Sequence, residues 1–159
     1  MIKDYPLHID IFALFIFLGT VQGIFLSYFF LNKHNRQIKA NIYLGFLLLT
    51  SSLLCFDILI SYTNFMFQVI YLVDATEPLN FLIGPLFFLY IVSKIDETKI
   101  KKPFYHFIPA IFYLLYSFFY HMQSIEVKYN SYIDQYHPEL SFVEIPFIFL
   151  SLITRWVSI

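Results

Sequence analysis

Two carboxylates stand inside runs that are otherwise hydrocarbon. Asp57 interrupts the apolar segment 42–61, and Glu77 lies near the start of the segment 75–93. An ionisable group in a greasy helix is costly and usually faces a bundle interior or a water-filled cavity. There it binds a ligand, relays a proton or holds a cation. The same residue types also serve structure. Glu77-Pro78 is a good helix start, because proline is tolerated in the first turn and an acid suits the helix dipole. Asp57 starts no helix, which points it toward a polar network or a functional role.

Helical spacing groups other polar and small residues with these acids. Glu77, Asn80 and Gly84 share one face, as do Thr50, Asp57 and Ser61, and so do His106, Ala110, Tyr113, Ser117 and Tyr120. These faces predict one cleft, lined by Asp57, Glu77, Asn80 and Tyr113, with Gln22 as a further contact from the first apolar run. Gly19 and Gly23 flank Gln22 as a GxxxG pair, a pattern that lets helix backbones approach closely. Packing is the simpler role for all three residues. In the third run, Pro85 removes a backbone donor and frees the Phe81 carbonyl, and it sits beside Gly84. The pair predicts a bend that shapes the cleft, either as a fixed kink or as a hinge.

His106 and His121 fall at opposite ends of one predicted helix, about 20 Å apart by helix rise, so they cannot share a metal. No nucleophile motif, phosphate loop or spaced metal-ligand set appears in the sequence. Neither an enzymatic activity nor a cofactor or metal is expected.

The elements that must position these residues belong to a membrane protein. Apolar residues make up 59% of the 159 and charged residues 13%, with 21 phenylalanines and 13 tyrosines. Soluble domains carry about 25% charged residues, and so apolar a chain would expose aggregating patches in water. A hydrocarbon core asks for about 20 apolar residues per helix. The runs 11–31, 42–61, 75–93 and 104–122 meet that length, and 142–157 barely does. The expected fold is therefore all-α: a polytopic transmembrane bundle of four full spans and a fifth short one, occupying residues 1–159 without a soluble domain. Residues 62–73 read as a loop with an interfacial piece, and 123–141 as the longest polar stretch, with Tyr129, Tyr132 and Tyr136 among acids. The first run is too long for a signal-peptide core and no small-x-small cleavage site ends it. Cys55 has no second cysteine to pair with inside the chain.

Charge placement orients the bundle. Lys33, Arg36 and Lys39 fall in the first loop and Lys94, Lys99, Lys101 and Lys102 in the third, seven of the ten basic residues. Cytoplasmic loops carry the excess of lysine and arginine. Segments 32–40 and 94–103 are therefore expected in the cytoplasm, and the N-terminus outside an inner membrane.

Three stretches carry a likeness to a known family: "FLGTVQGIFLSYFFL" with its basic loop, "FLIGPLFFLYIVSK" and "KKPFYHFIPAIFYLLY". The run from Gly84 to Tyr90 and the His-x-x-Pro entry from His106 to Pro109 are its most distinctive parts. In order and spacing, from about residue 10 onward, the chain resembles the N-terminal membrane domain of AraC-type transcriptional regulators of the Bacteroidetes. The resemblance implies a seven-helix bundle leading into a cytoplasmic helix-turn-helix domain, and a role in sensing a signal at or outside the membrane. The 159 residues hold neither two further helices nor a DNA-reading helix. The expectation is thus a fragment, a truncated product or a stand-alone relative, with DNA reached only through a further C-terminal domain. The expected partners are the lipid bilayer and a small ligand, and a homodimer is one allowed assembly. A small-solute transporter using Asp57 and Glu77 is the competing expectation, although no inverted repeat is visible.

Overall fold

The computed structural model describes residues 6–96 and 103–136. Its regular elements there are all helical: α1 (Ile11–Leu31), α2 (Lys39–Tyr62), α3 (Glu77–Ile95), α4 (Ile108–His121) and α5 (Ile125–Tyr136), with short 3-10 turns between them. The first three contain 21, 24 and 19 residues and are long and apolar enough to cross a membrane. The expected fifth span, 142–157, lies outside the described residues, as do residues 97–102 of the third loop.

The fourth segment is shorter than expected. Pro103–Phe107 forms a 3-10 turn, and α4 then runs for 14 residues. By rise alone that is about 21 Å, against a hydrocarbon thickness of about 30 Å. Pro109 suits the start of α4, since proline is best tolerated in the first turn of a helix. Among the described residues there are therefore three long apolar helices and one shorter one.

Both ends of α1 are closed by nearby polar side chains. Asp10 caps α1, its carboxylate accepting the Ala13 N–H at 2.9 Å. At the far end the Asn35 amide donates to the Phe29 carbonyl at 2.8 Å and the Asn41 amide donates to Asn35 O at 2.8 Å, so the chain reverses tightly into α2. Beyond α2, Asn64 takes a left-handed conformation with φ of 61°, a conformation asparagine tolerates. Two 3-10 turns, Phe65–Phe67 and Ile70–Leu72, lead to α3, which begins at Glu77 with Pro78 in its first turn.

Side-chain size decides how α1 meets α2. Ala13, Thr20 and Ser27 recur every seventh residue on the buried face of α1. The Ser27 hydroxyl donates to the Gly45 carbonyl at 2.8 Å, tying the two helices. A Cβ on Gly23 would overlap the Ser52 hydroxyl, and one on Gly45 would sit 2.7 Å from Leu31 Cγ. Only half of the expected GxxxG pair is used, because a Cβ on Gly19 would meet nothing within 4 Å. The hydroxyls of Thr20 and Ser52 are satisfied within their own helices, by the carbonyls of Ile16 and Leu48 at 2.9 and 2.7 Å.

The helices pack in chain order, α1 on α2, α2 on α3 and α3 on α4. Two ends of this row differ. One holds the 32–38 turn; the other holds the start of α1, the end of α2, the start of α3 and the end of α4. The second end carries the principal cluster of buried apolar side chains. Ile60, Met66, Phe67, Ile70 and Val73 pack there against Tyr132 and Ile133 of α5. Residues 125–136, expected as part of a polar stretch, are thus a helix that covers the 3-10 turns.

Candidate functional site

The site is best followed from α5 across the row. Tyr132 is 1% exposed. Its ring meets that of Phe67 edge-on at 5.3 Å, and Phe67 also meets Tyr129 at 6.2 Å. Burial pushes the Tyr132 hydroxyl above its ordinary pKa, with the Asp57 charge adding to the effect, and Ser61 of α2 lies at hydrogen-bonding reach. A phenol so placed stays protonated.

Asp57 comes next, half-buried one turn before Ser61. The Thr76 hydroxyl, at the entry to α3, lies near it. Glu77 follows Thr76 directly, and its carboxylate accepts a short hydrogen bond from the Tyr113 hydroxyl of α4. The Tyr113 ring lies 4.6 Å from Phe81 of α3 and 5.9 Å from Tyr116 of its own helix. Ser61, Tyr132, Asp57, Thr76, Glu77 and Tyr113 therefore form one polar band through α5, α2, α3 and α4. Two adjacent residues, Thr76 and Glu77, join the two acids.

The residues expected to line one cleft are placed differently from one another. Asp57, Glu77 and Tyr113 stand at one end of the helix row, while Asn80 and Gln22 do not join them and are exposed. Asn80 sits one turn past Glu77, yet the packed face of α3 runs through Pro78, Leu86 and Leu89 instead. Gln22 lies on α1, which the row separates from α3 and α4. The physical reason is shape: a row of helices presents only narrow faces to its neighbours, so equal helical phase does not bring all polar residues inward.

At the expected bend, Pro85 stands inside α3. α3 continues as one helix through Gly84-Pro85. Gly84 is exposed, and a Cβ there would meet nothing within 4 Å, so it lines no packed cleft. Of the α4 stripe, Ala110 and Ser117 are buried and Tyr113 half-buried, while His106 is exposed against the Phe88 ring at 5.0 Å. His121 lies at the other end of α4, its Nδ1 2.9 Å from the Ser117 carbonyl.

Thr76 and Tyr132 of the band, and the buried Lys128 of α5, were not identified from sequence. Thr76 gives no periodic signal because it lies between elements. Lys128 is 4% exposed, with its ammonium donating to the Tyr71 carbonyl at 3.3 Å. The signal for its helix was present, since Tyr129, Tyr132, Ile133 and Tyr136 recur at i, i+3, i+4 and i+7.

Chemically, the band offers two carboxylates, each beside a hydroxyl group. Among the described residues neither is paired with a lysine or arginine. Such a group can hold a cationic or hydrogen-bonding ligand. No family model, curated protein or solved structure matches this chain.

Proposed function

We propose that this chain is the signal-sensing membrane module of a transcriptional regulator similar to the AraC-type membrane proteins, and that it receives its ligand at the Asp57–Glu77–Tyr113 band. The observation that supports this reading most is the concentration of polar groups at one end of the row, under the α5 cap and opposite the basic first loop. In this reading α4 with its lead-in turn is the fourth span and the apolar run 142–157 the fifth. The basic loops face the cytoplasm of the inner membrane, the N-terminus lies outside, and the acid-bearing end meets external signals. DNA is reached through a helix-turn-helix domain beyond these residues.

Two measurements test it. Thiols at His34→Cys and Gln68→Cys, exposed at opposite ends of the row, are expected to label only from the cytoplasmic and the external side, respectively. In a reporter fusion to a helix-turn-helix domain, Asp57→Asn and Glu77→Gln are expected to change signal response. Unaltered response in both stably inserted variants removes the band from sensing.

A transporter is the second reading, favoured by the two carboxylates without a basic partner among the described residues. Proton- or cation-driven solute uptake by the purified chain in liposomes, abolished by Asp57→Asn, would establish it over sensing.

A further inference from the structure

α1 has two opposed faces. The face toward α2 is small and closely packed, through Ala13, Thr20, Gly23 and Ser27. About half a turn away run Ile11, Phe15, Leu18, Gln22, Phe25 and Phe29, all exposed. Their steps alternate between four and three residues, which is the seam by which two helices wind around each other. Its one polar member is Gln22, the twelfth of the 21 residues of α1. By helix rise its Cα is about 15 Å from either end, too deep for a side chain of that length to reach water. The amide has no hydrogen-bond partner among the described residues. A primary amide left in hydrocarbon is unfavourable, so another polar group at that depth is the natural complement.

We propose that this face is the interface with a second copy of this chain, the two α1 helices pairing in parallel about a two-fold axis at Gln22. Two copies in one membrane share orientation, so identical faces meet at identical depth. An amide both donates and accepts, and a symmetric Gln22 pair therefore closes two reciprocal bonds and leaves neither carbonyl unmatched. Any other partner would have to bring its own polar group to the bilayer centre. Access is open on the side of the described residues, because α1 stands at the edge of the row and packs chiefly on α2. Beside the seam, Gly19 has free space where a Cβ would stand. A single polar residue in an otherwise apolar seam also fixes register and strand number. The proposal needs only that α1 span a bilayer and is independent of what the polar band binds.

The test uses the full chain in lipid vesicles at a fixed protein-to-lipid ratio, with Cys55→Ser removing its own thiol. Single cysteines replace Phe15, Leu18, Phe25 or Phe29 in the seam, and Phe17 or Ile24 outside it. Oxidation is expected to give a species of twice the mass from the seam positions, at least tenfold more than from Phe17→Cys or Ile24→Cys. In the cysteine-free chain, Gln22→Leu is expected to reduce the dimer seen by single-molecule photobleaching about tenfold, and Gln22→Asn to retain it. Single-step photobleaching of the unsubstituted chain overturns the proposal, as does cross-linking that peaks outside the seam. An equal dimer fraction in Gln22→Leu overturns it as well. So does an intramolecular bond from Leu18→Cys to a thiol at Ser151→Cys, which would assign the face to this chain's own later segment.

Discussion

The Tyr113 hydroxyl and the Glu77 carboxylate, 36 positions apart in the chain, share a hydrogen bond that joins α4 to the first residue of α3. Glu77 is thereby both the acid at the helix start, where the dipole favours it, and the acceptor for a neighbouring helix. A ligand that competed for the carboxylate would act directly on the α3–α4 contact.

Removing that bond is expected to loosen the pair. Tyr113→Phe keeps the ring against Phe81 and deletes only the donor. Hydrogen bonds to charged groups contribute about 1.5–3 kcal/mol. A double-mutant cycle with Glu77→Gln, read by unfolding in detergent, is expected to show coupling of that order. Independent effects of the two substitutions would contradict the contact.

Glycine positions separate packed from open helix faces. Gly23→Leu drives a side chain into Ser52 and is expected to destabilise the α1–α2 contact by about 1–3 kcal/mol. Gly19→Leu meets nothing within 4 Å on the same chain and is expected to leave that contact unchanged. Cross-linking between cysteines placed on α1 and α2 reads both.

The α5 cap has its own weak point. Phe67 is 4% exposed and touches both Tyr129 and Tyr132. Phe67→Ala is expected to cost about 3–5 kcal/mol, the usual range for emptying a core aromatic site. Amide exchange across 125–136 is expected to rise, while exchange in the α1–α2 contact stays as before.

Acid is expected to release the start of α1. The Tyr62 hydroxyl donates to Asp10 at 2.6 Å and the Ala13 N–H to its other oxygen, which together hold the carboxyl below its ordinary pKa of 3.8. A depressed folded pKa contributes stability above the unfolded value, and that contribution is lost as pH falls through the folded one. Fraying at residues 10–13, followed by amide exchange, is expected to set in below pH 3.8. Tyr62→Phe is expected to move its onset upward, and Asp10→Asn to remove the pH dependence.

Much of the helix layout was legible in the residues, for particular reasons. The α1 boundaries, Ile11 and Leu31, coincide with the expected run, because Asp10 and Asn32 punctuate it on either side. The 3-10 interruption before α4 was not anticipated, since the uninterrupted apolar character of 104–122 hides a change of helix type. In the site, Asp57 and Glu77 were recognisable as acids in apolar surroundings. Tyr132 and Lys128 were not, because a polar stretch of 123–141 conceals an amphipathic helix whose apolar stripe is made of tyrosines.

By itself the sequence determined the all-α class and the place of the three long apolar helices, because apolar run length follows from composition along the chain; the fourth full span it also implied is a 14-residue helix. It also determined which helices carry acids. Only the tertiary structure decided that Tyr113 meets Glu77, that Gln22 and Asn80 stay outside the polar band, and that α5 closes over the 3-10 turns. The physical reason lies in the solvent. In a bilayer, lipid-facing and protein-facing side chains are alike apolar, so periodicity does not reveal which face of a helix finds a partner. Contact is settled instead by small residues such as Gly23 and Ser27, and by hydrogen bonds between residues far apart in the chain.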